Sequence, residues 1–194
     1  MGSKFPLLIL VGPSGVGKTT IHKRIVQDFP NIFEFSVSYT SRPIRKGEKH
    51  GVNYYFVSNE EFDQMKLNGD FLEHASYVGS QYGTSIKEIE RIRERGKIPL
   101  LEIEIQGFKV LHDKGLDMKS VFITISDLNL LRQRLTDRGL DSEEVILRRL
   151  NRARQEIVES ETFPFNYKFE NADLEAAYKS LCLKLVEWYP HIKI

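Results

Sequence analysis

Cysteine is nearly absent: the 194 residues hold one, Cys182. A lone thiol closes no intramolecular disulfide, so a packed core rather than covalent staples must hold the fold. Cys182 lies in an apolar helical pattern and reads as a core residue, not a nucleophile. Long apolar runs are missing too. None approaches the ~20 residues that a bilayer-crossing helix needs. The start, Met1-Gly2-Ser3-Lys4-Phe5-Pro6, lacks the apolar stretch of a secretory signal, and position 6 lacks the hydroxyl of a myristoylation signal. Nor does one sign of charge dominate. Lys and Arg number 28 against 27 Asp and Glu, which leaves no global signature for a nucleic acid or another polyanion. There is no internal repeat and no low-complexity tract. The expectation is one soluble, cytoplasmic, monomeric domain, large enough to bury a core, with neither nucleic acid nor membrane as partner.

Against these absences, one stretch stands out. Leu7-Leu8-Ile9-Leu10-Val11 reads as a strand buried on both faces, as in a parallel sheet. Gly12-Pro13-Ser14-Gly15-Val16-Gly17-Lys18-Thr19-Thr20 follows and fills G-x-x-x-x-G-K-[ST] at every fixed position. Glycines let the backbone turn tightly enough for successive N–H groups to face one anion. Lys18 is spaced to reach the outer phosphates, and the Thr19 hydroxyl to hold Mg²⁺. A helix predicted from about Lys18, with Ile21, Ile25, Val26 and Phe29 on its apolar side, aims its positive end at the same place. The motif implies a bound nucleoside triphosphate.

Further along, Phe33 to Val37 is strand-like, and 38–48 has no helical period and reads as loop around Pro43 and Gly47. Arg42, Arg45 and Lys46 cluster there, with Tyr54 and Tyr55 just beyond. Guanidinium forks and phenols suit phosphate oxygens, although a solvated basic loop has the same composition. Asn53 to Val57 reads as a strand, and Ser58-Asn59-Glu60-Glu61 as a capping box for a helix ending at Gly69. Glu73 follows among apolar neighbours, either exposed on a strand or accepting from a ligand, while His74 reads as structural. Ser85 or Thr84 caps a helix from about Ile86 to Arg95. Ile98 to Ile105 reads as an interior strand with Leu101, Ile103 and Ile105 on one face and Glu102 and Glu104 on the other. Two carboxylates on one face are costly to bury without partners; a cation, a donor-rich ligand or nearby arginines would supply them, while a solvent-facing edge strand has the same alternation. Helix and turn over 106–116, a strand over Ser120 to Ile125, and a helix from a Ser126 cap to Arg138 come next. Asp141 to Glu144 caps another helix. Seven arginines fall between Arg132 and Arg154, either a solvated helical face or cations that close over a triphosphate. A short strand at Tyr167 to Glu170 and a terminal helix at Leu174 to Trp188 finish the chain. Strand, helix and strand recur, which predicts an α/β fold with a parallel β-sheet core flanked by helices. Two insertions interrupt it, near 37–87 and 133–150.

With these residues in view, the chain resembles the guanylate kinase family of nucleoside monophosphate kinases along nearly its full length. The resemblance rests on the 12–20 loop, on Phe35 to Glu48 with its Ser38, Arg42, Arg45 and Glu48, and on Gly51 to Val57. It continues in Phe71-Leu72-Glu73, Tyr82-Gly83-Thr84, Leu101 to Gly107, Arg134 to Gly139 and Arg148-Arg149-Leu150. The middle block is far more specific than the phosphate loop. The resemblance implies transfer of the γ-phosphoryl group of ATP to GMP (dGMP included), with Mg²⁺ bound alongside ATP. It implies a core of 5–36, 97–132 and 151–190, a GMP-binding segment of 37–96, and a lid of 133–150.

By motif position, the resemblance assigns Ser38, Glu73, Thr84 and Glu102 to guanine, and Arg42, Arg45, Tyr54 and Tyr82 to the GMP phosphate. Arg138 and Arg149 would belong to the lid over ATP, Arg134 would lie nearby, and Asn171 would lie near the adenine. Lys18, Arg45, Arg138 and Arg149 would be the catalytic cations. The chain departs from the family pattern in having Glu102 and Glu104 where an Asp-x-Asp is usual, Tyr39 where a small hydroxyl residue is common, and Ser41 where Thr is. Two other readings fit parts of the pattern: an inactive guanylate-kinase-like interaction module, and a kinase for a different nucleoside monophosphate.

Overall fold

The computed structural model describes residues 5–77, 79–139 and 141–192. Its centre is a five-stranded sheet, all parallel: β2 (Phe33–Phe35), β7 (Ile98–Ile103), β1 (Leu7–Val11), β8 (Met118–Thr124) and β9 (Tyr167–Glu170), in that spatial order. Alternation along β1 divides the core into two layers. Leu8 and Leu10 join the layer formed with helices α1 (Lys18–Asp28), α5 (Leu128–Asp137), α6 (Glu143–Ser160) and α7 (Leu174–Trp188). Leu7, Ile9 and Val11 join the layer under α3 (Ile86–Glu94) and α4 (Ile105–Asp113). All five residues of β1 are buried, as the apolar run requires when helices cover both faces. Cys182 is half-buried against the first layer.

The second unit is a four-stranded mixed sheet, ordered β4 (Tyr55–Phe56), β3 (Tyr39–Thr40), β6 (Ser80–Ser85) and β5 (Phe71–Tyr77). Helix α2 (Asn59–Leu67) packs on it through Phe62, whose ring stacks on Phe71 at 4.6 Å. The Ser58–Glu61 capping box is formed in full at the start of α2. So the stretch that reads as irregular near 37–87 is a sheet of short strands, two of them only two residues long, below the length at which alternation can be read from sequence.

Several boundaries differ from the sequence expectation, each for a local reason. β7 stops at Ile103, because Glu104 is already the N-cap of α4 and Ile105 its first residue. Asp127, not Ser126, caps α5 by accepting from the Asn129 and Leu130 amides; the Ser126 hydroxyl bonds Glu170 instead. Ser85 sits at the N-cap of α3 but makes no side-chain cap bond. Among the described residues, no helix is long and apolar enough to cross a membrane.

Candidate active site

A cavity of about 740 Å³ opens where the ends of β1 and β7 meet the four-stranded sheet, a volume that suits a small-molecule site. The loop after β1 forms one end. Gly17 adopts φ 106° and acts as the N-cap of α1 with no side-chain bond, which leaves the first-turn amides to an anion. A side chain there would also collide with the amide of Asn171, which is 2% exposed and donates to the Val16 carbonyl at 2.8 Å. Lys18 is buried. Its ammonium folds back on the carbonyls of Gly12 and Pro13 and lies 3.6 Å from Glu104.

Beside the lysine, the Thr19 hydroxyl lies 3.0 and 3.1 Å from the two oxygens of Glu102. One of those oxygens is also 2.8 Å from Nδ1 of His22, a turn further along α1. Burial opposes ionisation of Glu102, but the His22 contact, the Lys18 charge and the Thr19 hydroxyl outweigh it and hold the carboxyl below the usual range. Glu104 goes the other way: burial and Glu102 raise it more than Lys18 lowers it. A hydroxyl next to an ionised carboxylate is a hard-oxygen donor set that fits Mg²⁺. No group of three or more His, Cys, Asp or Glu able to hold a metal ion occurs among the described residues.

The opposite end is lined by Ser38, Glu73, Tyr54 and Tyr82. Glu73 is 4% exposed and accepts from the Thr84 hydroxyl at 2.6 Å across the β5–β6 pair. Gly107 makes its room, since a Cβ at that point of α4 would run into the carboxylate. Burial pushes the Glu73 carboxyl up to about 7, and the Thr84 bonds only partly offset this. Between the two ends stand the cations. Arg42 donates to Glu48 at 2.8 Å and lies 5.5 Å from the Tyr54 ring centre. Arg45 is 3.4 Å from Asp141, which also takes Arg149 at 3.2 Å, and Arg149 donates to Ser14 of the phosphate loop at 2.6 Å. Burial together with the charges of Arg42 and Arg149 lowers the Arg45 pKa despite Asp141. Cations crowded in this way are a receptor for a multiply charged anion.

A family model described as guanylate kinase matches residues 4–187. The chain belongs to the guanylate kinase family. A guanylate kinase of Streptococcus thermophilus is 45% identical over 157 residues, covering 81% of this chain and 75% of the relative. That of Schizosaccharomyces pombe is 41% identical over 180 residues, covering 92% and 89%. The crystal structure of guanylate kinase from Anaplasma phagocytophilum superposes with a TM-score of 0.76 at 33% identity, covering 97% of this chain and 88% of that one.

Of the residues that the guanylate kinase resemblance picks out, the cavity wall takes in Ser14, Gly15, Gly17, Lys18, Thr19 and Thr20 from the loop. Ser38, Arg42, Arg45, Tyr54, Glu73, Tyr82 and Glu102 line it too, as do Arg138 and Arg149. Gly12, Pro13, Val16, Thr84, Arg134 and Asn171 are not part of the wall. Thr84 donates to Glu73 from behind the wall, and Asn171 is bonded to the loop backbone at Val16. Glu102 faces Thr19 and His22 rather than Glu73. Two polar residues escaped the sequence reading, His22 and Glu156, and two were named without their contacts: Asp141, read only as part of a helix cap, takes Arg45 and Arg149, and Glu48 takes Arg42. His22 had a signal, since it follows Lys18 by four residues and shares its helix face. Glu156 had none. It is fully buried, held by Arg152 at 3.1 Å, and burial with the nearby Glu104 pushes it up to about 8.

Proposed function

We propose that this member of the guanylate kinase family is an ATP:GMP phosphotransferase, giving ADP and GDP, with dGMP as an alternative acceptor. One observation carries the reading: a single cavity joins the phosphate loop to a buried carboxylate through a bridge of arginines. Guanine presents an N1–H and a 2-amino group, and adenine presents neither pair to an acceptor. Glu73 is acceptor-rich when ionised, so it selects guanine, with Ser38 on the same cavity wall and Thr84 holding it in place. Arg42, Arg45, Tyr54 and Tyr82 hold the acceptor phosphate. That phosphate is already a nucleophile, so no strong base is needed. Its oxygen attacks the γ-phosphorus, the bond to the β-phosphate oxygen breaks, and ADP carries the charge away. Lys18, Arg138 and Arg149 stabilise the negative charge spread over the transferred group.

Thr19, supported by Glu102, would hold Mg²⁺, which when bound neutralises the β- and γ-phosphate oxygens. Closure of the 133–150 segment over ATP, with the 37–96 segment over GMP, would exclude water and bring the two phosphates into line. The reaction belongs to purine nucleotide metabolism, and the cytoplasm is the compartment that supplies both substrates. An ADP-release assay with Mg·ATP and, in turn, GMP, dGMP, AMP, CMP and UMP tests the proposal. Turnover confined to guanine nucleotides is the expected result. Equal turnover of AMP, or none with any acceptor, overturns it.

A further inference from the structure

His22 is an unusual lining for a phosphate site, being nine-tenths buried with its ring laid flat on Phe35 at 4.0 Å and an interplanar angle of 11°. That stack leaves the ring one in-plane direction for Nδ1, and it is spent on Glu102 at 2.8 Å. Glu102 has a long arm and could in principle turn along the cavity toward Glu73. The contact to His22 instead pins it where both oxygens lie within 3.1 Å of the Thr19 hydroxyl. A hydroxyl has one proton and two lone pairs. With the proton committed to Glu102, the lone pairs point away from the carboxylate, which is how a neutral oxygen is prepared for a cation.

We infer that His22 is a positioning residue: it fixes Glu102 at the donor end of the cavity, so that Glu102 orients Thr19 for the metal–triphosphate complex and takes no part in binding the guanine. The relay runs from the Phe35 ring through His22 and Glu102 to Thr19. The links span three elements: Phe35 on β2, His22 and Thr19 one turn apart on α1, and Glu102 on β7. It rests on the phosphoryl-transfer reading above, in that the cation it serves is the one carried by ATP. Outer partners of this kind typically change metal affinity by about 10- to 100-fold when removed. His22 acts one bond further out, so about three- to tenfold is expected here.

Equilibrium binding tests this without turnover. ATP affinity is titrated against Mg²⁺ concentration, and GMP affinity is measured separately, for the wild type, His22→Leu, His22→Asn and Glu102→Gln. His22→Leu removes the bond and should raise the Mg²⁺ concentration for half-maximal ATP binding about three- to tenfold, with GMP affinity unchanged. His22→Asn can place an amide nitrogen close to Nδ1 and should restore most of the loss. His22→Leu added to Glu102→Gln should do nothing further, because the relay is already cut. An unchanged Mg²⁺ dependence in folded His22→Leu overturns the inference, and so does a loss that falls on GMP instead. If the wild type itself binds no ATP in the presence of Mg²⁺, the phosphoryl-transfer reading fails first. If His22→Leu does not fold, His22→Ala takes its place, since it too leaves nothing to bond Glu102: it must shift the Mg²⁺ dependence in the same direction as Glu102→Gln, and His22→Asn must recover most of that shift.

Discussion

The donor end of the cavity is built on one run of nine consecutive residues, Gly12 to Thr20, six of which line it, between a wholly buried strand and the first turn of a helix. The acceptor end gathers residues from 38 to 84 through a small sheet, two of whose strands span two residues each. The contrast extends to charge. At the donor end, the groups that face the cavity are helix-start backbone and a lysine, and the carboxylate beside them, Glu102, is held below the usual range. At the acceptor end, a carboxylate is buried with one hydroxyl and held up at about 7. Recognition of a phosphate needs only local backbone geometry. Recognition of one base over another needs a desolvated side chain in a fixed place, which only tertiary packing can supply.

The largest effect should come from Lys18→Ala, which removes a buried cation from the donor end. Turnover should fall about a thousandfold, with the melting temperature little changed. Near-normal turnover would break the assignment of that end. Next is Glu73→Gln, which replaces an acceptor by a group that also carries donors facing guanine donors. GMP affinity should fall by about 2–3 kcal/mol, while ATP affinity measured by titration stays put. A matching loss for ATP would mean that the two ends are not separate.

The same variant separates function from stability. The folded chain protonates Glu73 near 7 against an ordinary 4.5, so between those values the folded state binds more protons than the unfolded state, and stability falls as pH rises across the window. Above pH 7, Glu73→Gln should therefore melt higher than the wild type, by up to about 3 kcal/mol of stability. In the wild type, GMP affinity should weaken as pH falls through about 7, beyond the pH dependence that Glu73→Gln shows from the nucleotide phosphate alone. Parallel pH profiles for the two proteins would remove Glu73 from guanine recognition.

A smaller effect is expected from Asp141→Asn, since Asp141 only holds Arg45 and Arg149 in register between the ends. Turnover should drop about tenfold, or roughly 1.4 kcal/mol, with both substrates still bound. The smallest should follow from Ser58→Ala, which opens the α2 capping box. Stability should fall by about 1 kcal/mol in denaturant unfolding, and turnover should hold. A large loss of GMP turnover there would show that the acceptor sheet is only marginally stable by itself.

By itself, the sequence determined the elements whose information is local. The run from Leu7 to Thr20 states a buried strand, a phosphate loop and a helix start, because apolar burial, glycine backbone freedom and helix-end amides each leave a mark within a few residues. The Leu174–Trp188 helix and the Ser58 cap were legible for the same reason. Glu73 could be named as a candidate, but not its burial, since that depends on Thr84 across a hairpin and on the missing Cβ of Gly107, 34 positions away on helix α4. The place of Glu102 was decided by a contact across 80 residues to His22, and that of Asn171 by one across 155 to the loop backbone. Such pairs leave no periodicity to read. Only when the strands align at their shared ends do these side chains meet, and in a desolvated cavity that meeting sets which carboxylate is charged and what it can recognise.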